Sequence, residues 1–426
     1  MKFLPKWLLC CCWMMTLLFV HRVTVHAQLN MTFLGQKTYT PELSDVWGYV
    51  APDGTEYALV TLDNGISIVD VTDPTNLIEK ALITQSGSST FWREARVWGE
   101  YAYVTNEAGQ GLLIIDLTNI ASGSAPSSYW TGGPWNGSTL NWSTAHNIFI
   151  DENGIGYIVG ANYGVGGAIM IDIAANATNP TIVGVYDGAY VHDCFVRNNV
   201  MWAAQINNGN FVAVDVTDKA NPSTISTAVN SPDNLAHNCW LSDDGVNLFV
   251  TDETSGAPVT SYDVTVLNDI KKLYEYRSNP GSGVIPHNTF VLDNFIVTSY
   301  YRDGVTVADM THPKLMIEVG NYDTSPLSGN GYNGAWGVYP YLPSGKILVS
   351  DIENGLFVLS FNGTKAAYIE GTVTDVAGSP IPGATVNISG VGTATTDFSG
   401  HYLLGTVTAG NYSADYEASQ RPEKSE

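Results

Sequence analysis

The sequence predicts an all-β protein, a seven-bladed β-propeller followed by a small β-sandwich. Three observations predict it. First, an apolar run closing on an acid recurs as "GISIVDVTDP" (65–74), "GLLIIDLTNI" (111–120), "GAIMIDIAAN" (167–176), "NFVAVDVTDK" (210–219) and "GVTVADMTHP" (304–313). "VTSYDVTVLN" (259–268) is a looser copy, and "GLFVLSFNGT" (355–364) is a seventh with Ser360 where the acid should stand. Second, His146, His192, His237 and His287 stand at one place in successive repeats, 46, 45 and 50 residues apart, the length of a propeller blade. Third, the chain is rich in Gly, 11% aromatic and only 14% charged, which suits turns and half-buried strands better than helices.

Residues 1–27 carry Lys2 and Lys6, an apolar stretch from Trp7 to Val20, and "VHA" ending at Ala27. That order is expected of a secretory signal peptide, which would also carry away Cys10, Cys11 and Cys12. Without Lys2, Lys6 and Arg22 the formal charge moves from −23 to −26, since the segment holds no acid. Nucleic acid is therefore excluded as a partner class, because binding phosphate needs clustered Lys and Arg. No later segment is apolar for long enough to span a membrane.

Residues 28–366 form the predicted propeller. Each repeat begins with two alternating segments, as in "HNIFIDENGIGYIVG" (146–160), where Asn153-Gly154 reads as a hairpin turn. A Pro-marked turn and a fourth apolar segment follow, as in "TNLIEKALI" (75–83), so the unit is a four-stranded meander. The seventh unit lacks a fourth strand of its own, and "NMTFLGQKTYT" (30–40) is expected to supply it and close the ring. Residues 367–418, with Gly and Pro turns between short strands, form the predicted sandwich. It reads as incomplete, because the polar tail 419–426 stands where a closing apolar strand belongs.

With hairpin turns in register, Val46, Arg93, His146, His192, His237, His287 and Ala335 share one position, and Trp47, Glu94, Asn147, Asp193, Asn238, Asn288 and Trp336 the next. In a propeller these positions converge on the central channel. Arg93, Glu94, His146, His192, Asp193, His237 and His287 are thus the candidate ligand-binding residues at the channel mouth. The plainer reading is that each His and its neighbour bonds backbone and holds adjacent blades in register. Imidazole with carboxylate also suits a transition metal, and Cys194 and Cys239, two residues after a histidine, add His192, Cys194, His237 and Cys239 as candidate metal ligands. The two cysteines are otherwise a disulfide or two buried thiols. Asp70, Asp116, Asp172, Asp215, Asp263 and Asp309 occur singly, which favours turn capping over calcium. Trp47, Trp92 and Trp336 read first as filling between blades and second as a sugar-stacking surface.

Residues 42–360 resemble the choice-of-anchor B family of LVIVD-repeat propellers through "DVWGYV" (45–50), "WREARVWGEYAYVTNE" (92–107), "GLLIIDLTNI", "AHNIFIDENGIGYIVG", "YVHDCFV", "VDVTDKANP" and "LAHNCWLSDDG". The resemblance implies an exported bacterial protein with a C-terminal region that tethers it to the cell surface, and it implies no reaction. The tail is similar to the carboxypeptidase regulatory-like domain, a prealbumin-like and carbohydrate-binding-like sandwich, through "IEGTVTDVAGSPIPGATVNISG" and "TTDFSGHYLL". The leading expectation is a monomeric, secreted or surface-attached scaffold without a cofactor or catalytic residues, binding an extracellular glycan or protein. The alternative is a metal-dependent hydrolase or lyase using the histidine-rich mouth.

Overall fold

The computed structural model of the chain describes residues 28–85 and 89–417. The expected signal segment and the tail 419–426 lie outside the described residues. Among those residues are seven antiparallel sheets of four or five strands. Their inner strands are Leu43–Val50, Arg93–Trp98, Asn147–Ile150, Asp193–Arg197, Ala236–Leu241, Thr289–Leu292 and Ala335–Tyr339. The three inner strands of each sheet run as a meander, and the first sheet continues in order through Leu43–Val50, Glu56–Leu62, Gly65–Asp70 and Ile78–Thr84. Neighbouring sheets touch in succession and the seventh touches the first, so they form a ring. The architecture is that of a β-propeller. No described helix is long and apolar enough to cross a membrane.

Packing explains the repeated sequence. Middle strands are covered on both faces by adjacent sheets, so Glu56–Leu62 is buried along its whole length and reads as a nearly unbroken apolar run. The recurrent acid ends the third strand, where its carboxylate accepts a backbone N–H from the following turn. Asp70 takes that of Thr72 at 3.1 Å, Asp116 that of Thr118 at 2.9 Å, Asp215 that of Thr217 at 2.8 Å and Asp309 that of Thr311 at 2.8 Å. Asp263 does the same with Thr265, and Asp172 reaches Ala175. These acids therefore cap turns. Asn153-Gly154 turns the chain in a wider loop, with Asp151 Oδ1 accepting the amides of Asn153 and Ile155.

Adjacent sheets are also strapped by hydroxyls that the sequence reading did not single out. Thr61 donates to the Arg93 carbonyl at 2.9 Å, Thr105 to that of His146 at 3.3 Å, Thr251 to that of His287 at 2.7 Å and Ser299 to that of Trp336 at 2.7 Å. Each bond runs from a second strand or its end to the start of the next sheet's first strand, and so fixes the register between sheets.

Met31–Lys37 pairs with Gly355–Phe361 as the outer strand of the seventh sheet, and Gln28–Leu29 adds to the sixth. Near this closure Asp351 is buried, accepting the Thr324 hydroxyl at 2.7 Å and the amides of Glu353 and Asn354. Burial outweighs those bonds and pushes its carboxyl up to about 6. A raised acid stabilises the fold below its unfolded value, and that contribution is lost as pH climbs through the folded value. We expect the stability of the wild type relative to Asp351→Asn to fall by on the order of 2–3 kcal/mol between pH 4 and pH 7. Urea unfolding of both proteins across that window measures it, and a difference independent of pH would contradict it.

The C-terminal module consists of the pair Ala367–Thr372 and His401–Thr406 and a three-stranded sheet of Gly392–Thr395, Thr385–Ile388 and Ala414–Glu417. Val373, Ala384, Val386 and Ile388 form its core. It rests on the sixth sheet, where the Ala366 amide and the Tyr368 hydroxyl both donate to the Asp309 carboxylate.

Candidate functional site

The histidines enter the channel on backbone irregularities. His237 is the extra residue of a β-bulge, lying between the pairs Ala236↔Asp252 and Asn238↔Thr251. The amides of His146 and His192 bond the carbonyls of Val159 and Ala204, the residues already paired with Asn147 and Asp193. A bulge sets two residues against one and re-aims the side chains there.

The structure brings the four imidazoles into one arc. Ring centres are 3.9 Å apart for His146 and His192, and 4.4 Å both for His192 and His237 and for His237 and His287. Trp336 and Tyr301 extend the arc, at 4.7 and 5.0 Å from His287. Three residues further along the same strands, Phe149, Phe195, Trp240 and Phe290 pack as tilted pairs with ring centres 4.7–5.2 Å apart.

Two glutamates that the sequence reading missed serve this arc. Glu107 Oε1 is 2.7 Å from His146 Nδ1. Glu253 Oε2 lies 3.6 Å from His237 Nε2, and its Oε1 lies 3.8 Å from His287 Nε2 while accepting the Tyr301 hydroxyl at 2.6 Å. A signal for them was present: each follows the second strand of its sheet, in "VTNE" (104–107) and "VTDE" (250–253). His287 Nδ1 is 2.6 Å from the Trp336 carbonyl, whereas the buried Nδ1 atoms of His192 and His237 make no hydrogen bond of normal geometry. Burial, then the neighbouring imidazoles, holds His192 and His237 well below the usual histidine range, and burial brings His287 down to about 3. All three are neutral at physiological pH. Burial raises the Glu253 carboxyl.

A second buried group lies beside the arc. Arg96 Nη1 is 2.8 Å from Asp45 and 3.5 Å from Glu94, and its guanidinium sits 4.2 Å over the Trp47 ring. Burial and then Asp45 push the Glu94 carboxyl well up, and burial raises Asp193. Asp193 Oδ2 accepts from Asn238 Nδ2 at 2.7 Å, and Asn238 Oδ1 accepts the Thr289 amide of the next sheet at 3.1 Å. This ladder joins adjacent sheets at two of the four positions that follow a histidine.

Arg93 and Glu94 sit differently from expectation, and the cysteines are the two buried thiols that the sequence allowed. Arg93 does not face a ligand: it is fully buried, donating to the Leu62 carbonyl at 2.9 Å and to Gln85, so its charge is spent on the first sheet. Glu94, also expected to face a ligand, is instead buried against Arg96. Cys194 and Cys239 are unbridged thiols packed in two different apolar clusters, and burial raises both well above the usual thiol range, which disfavours the thiolate a metal needs. Two-residue alternation placed them beside the histidines, and the bulge breaks that alternation. Among the described residues, the grouping within reach of one ion is His237, Glu253 and His287, whose ligand atoms all lie within 4.8 Å of one another.

The arc opens into a cleft of about 440 Å³. Phe91, Trp92, Tyr301, Tyr332 and Trp336 supply aromatic wall, and Glu42, Glu253, Glu353 and Asn333 supply polar groups. Trp92 and Tyr332 are 46% and 56% exposed, while Trp336 is 7% exposed against His287. Trp47 is half-buried, packed under Arg96 and 4.8 Å from Tyr339, so only Trp92 of the three tryptophans offers an open face.

Comparison with known proteins agrees with this architecture. The LVIVD repeat matches residues 55–84 and 93–131, and the carboxypeptidase regulatory-like domain matches residues 368–425. Among solved structures, the crystal structure of RRP9 WD40 repeats superposes with a TM-score of 0.53 at 10% identity, covering 79% of this chain and 100% of that one. At that identity the likeness concerns the fold alone. No curated protein matches.

Proposed function

We propose that this LVIVD-repeat propeller is a binding scaffold that takes an extracellular glycan in the cleft at its channel mouth, without chemistry on it. The observation that carries the reading is the joining of open aromatic faces with carboxylates in one concave surface. The C–H face of a sugar ring carries slight positive charge and stacks on the electron-rich face of Trp92 or Tyr332. Carboxylates and the Asn333 side chain then meet its hydroxyls, and such pockets are the default binding site of a fold. The export-type pattern of residues 1–27 supports an extracellular setting. No described residue of the C-terminal module lines the cleft.

The test is a screen of the purified protein against neutral and acidic polysaccharides, with basic peptides as the competing class. We expect a glycan hit whose affinity falls about tenfold or more in both Trp92→Ala and Tyr332→Ala, at unchanged thermal stability. Retention of full affinity in both variants, or selective binding of basic peptides, would contradict the reading.

A further inference from the structure

We infer that His237 Nε2, His287 Nε2 and the Glu253 carboxylate form a site for one divalent first-row transition-metal ion of the zinc class, with an open coordination position toward the mouth cleft. The inference does not depend on the glycan reading. Its first support is geometric. Glu253 Oε2 lies 3.6 Å from His237 Nε2 and Oε1 lies 3.8 Å from His287 Nε2, the donor set lies within 4.8 Å, and donor atoms on a tetrahedral zinc ion sit about 3.3 Å apart, so side-chain adjustments of up to about 1.5 Å bring the three onto one ion.

The second support is the tautomer. A carbonyl only accepts, so the 2.6 Å contact with Trp336 places the proton of neutral His287 on Nδ1. Its Nε2 therefore presents a lone pair toward Glu253. Facing an ionised Glu253, that lone pair leaves two acceptors opposed, an arrangement that either a shared proton or a metal ion resolves, and zinc titration tells the two apart. A carbonyl behind a metal-binding imidazole is also the usual outer support of such a ligand, and Tyr301 supports Glu253 in the same way.

The third support is charge. No Lys or Arg pairs with Glu253 among the described residues, and both imidazoles are nearly fully buried. A half-buried carboxylate without a cation carries part of the cost of desolvation, and a divalent ion removes that cost. Two nitrogens and one carboxylate select zinc and its first-row neighbours over magnesium or calcium, which favour oxygen throughout. Glu253, Tyr301 and Trp336 line the cleft, which gives an ion its entry path and leaves the coordination sphere incomplete on that side.

The experiment is calorimetric titration of chelator-treated protein with zinc, with cobalt absorption as a second readout and magnesium as the control ion. We expect one zinc per chain at micromolar affinity or tighter, and no response to magnesium at the same concentration. Glu253→Gln, which preserves shape, should weaken zinc binding by about 100-fold, and Tyr301→Phe by about tenfold. His401→Ala, on the surface of the C-terminal module, should bind as wild type. His237→Ala and His287→Ala should lose binding if they fold; Glu253→Gln and Tyr301→Phe carry the test if they do not. Absence of zinc binding by the wild type, unchanged binding in Glu253→Gln, or loss in His401→Ala would each overturn the assignment. A glycan screen that fails while zinc binds would sink only the ligand reading.

Discussion

Arg96→Met is expected to cost 3–5 kcal/mol of stability or more, roughly half of what a domain usually has. The Arg96 guanidinium is the cation for Asp45 and Glu94, 2.8 and 3.5 Å away, and all three side chains are at most 5% exposed. Methionine keeps most of the volume beneath Trp47 and removes the charge, leaving buried carboxyls with nothing to offset their desolvation. Because burial already raises Glu94 and Asp193, acidification lets these groups become neutral, so the deficit should shrink from pH 7 toward pH 5. Equilibrium unfolding at the two pH values measures both effects. A variant within about 1 kcal/mol of wild type at pH 7 would show that the cluster is not held by this cation.

A chain that begins at Pro41 should show the other large effect. Losing Met31–Lys37 strips the seventh sheet of its outer strand, uncovers the edge of Gly355–Phe361 and removes buried Met31 from the core. Six residue pairings and one fully buried side chain amount to on the order of 5 kcal/mol, and the bared edge invites pairing with another chain. The expected result is an oligomeric or aggregated protein by size-exclusion chromatography, restored toward monomer by a synthetic peptide of residues 28–40. A monomer with the wild-type melting temperature would contradict this account of how the ring closes.

What the sequence disclosed followed from periodicity. The apolar runs ending in an acid showed an all-β repeat, because a strand covered on both faces needs apolar residues throughout and the turn after it needs a cap, as Asp70 with Thr72 shows. The adjacency of His146, His192, His237 and His287 followed from their equivalent places in the repeat. What stayed hidden depends on backbone geometry or on side-chain reach. The bulge at His237 inserts one residue and breaks the alternation that had aligned Cys239 with it. Arg93 shares the histidines' register, yet its long side chain reaches back to Leu62 of the preceding sheet. Glu253 comes from a different strand end than the imidazoles it meets, and only the repetition of "VTNE" as "VTDE" marked it.

The central claim is that the channel mouth is where this protein meets its ligand. Hydrogen–deuterium exchange with a bound polysaccharide tests it most directly. The expected protection falls on peptides spanning residues 89–93, 251–254, 299–303 and 330–336. Protection confined to residues 368–417, with the mouth unchanged, would instead place binding on the C-terminal module and contradict the claim.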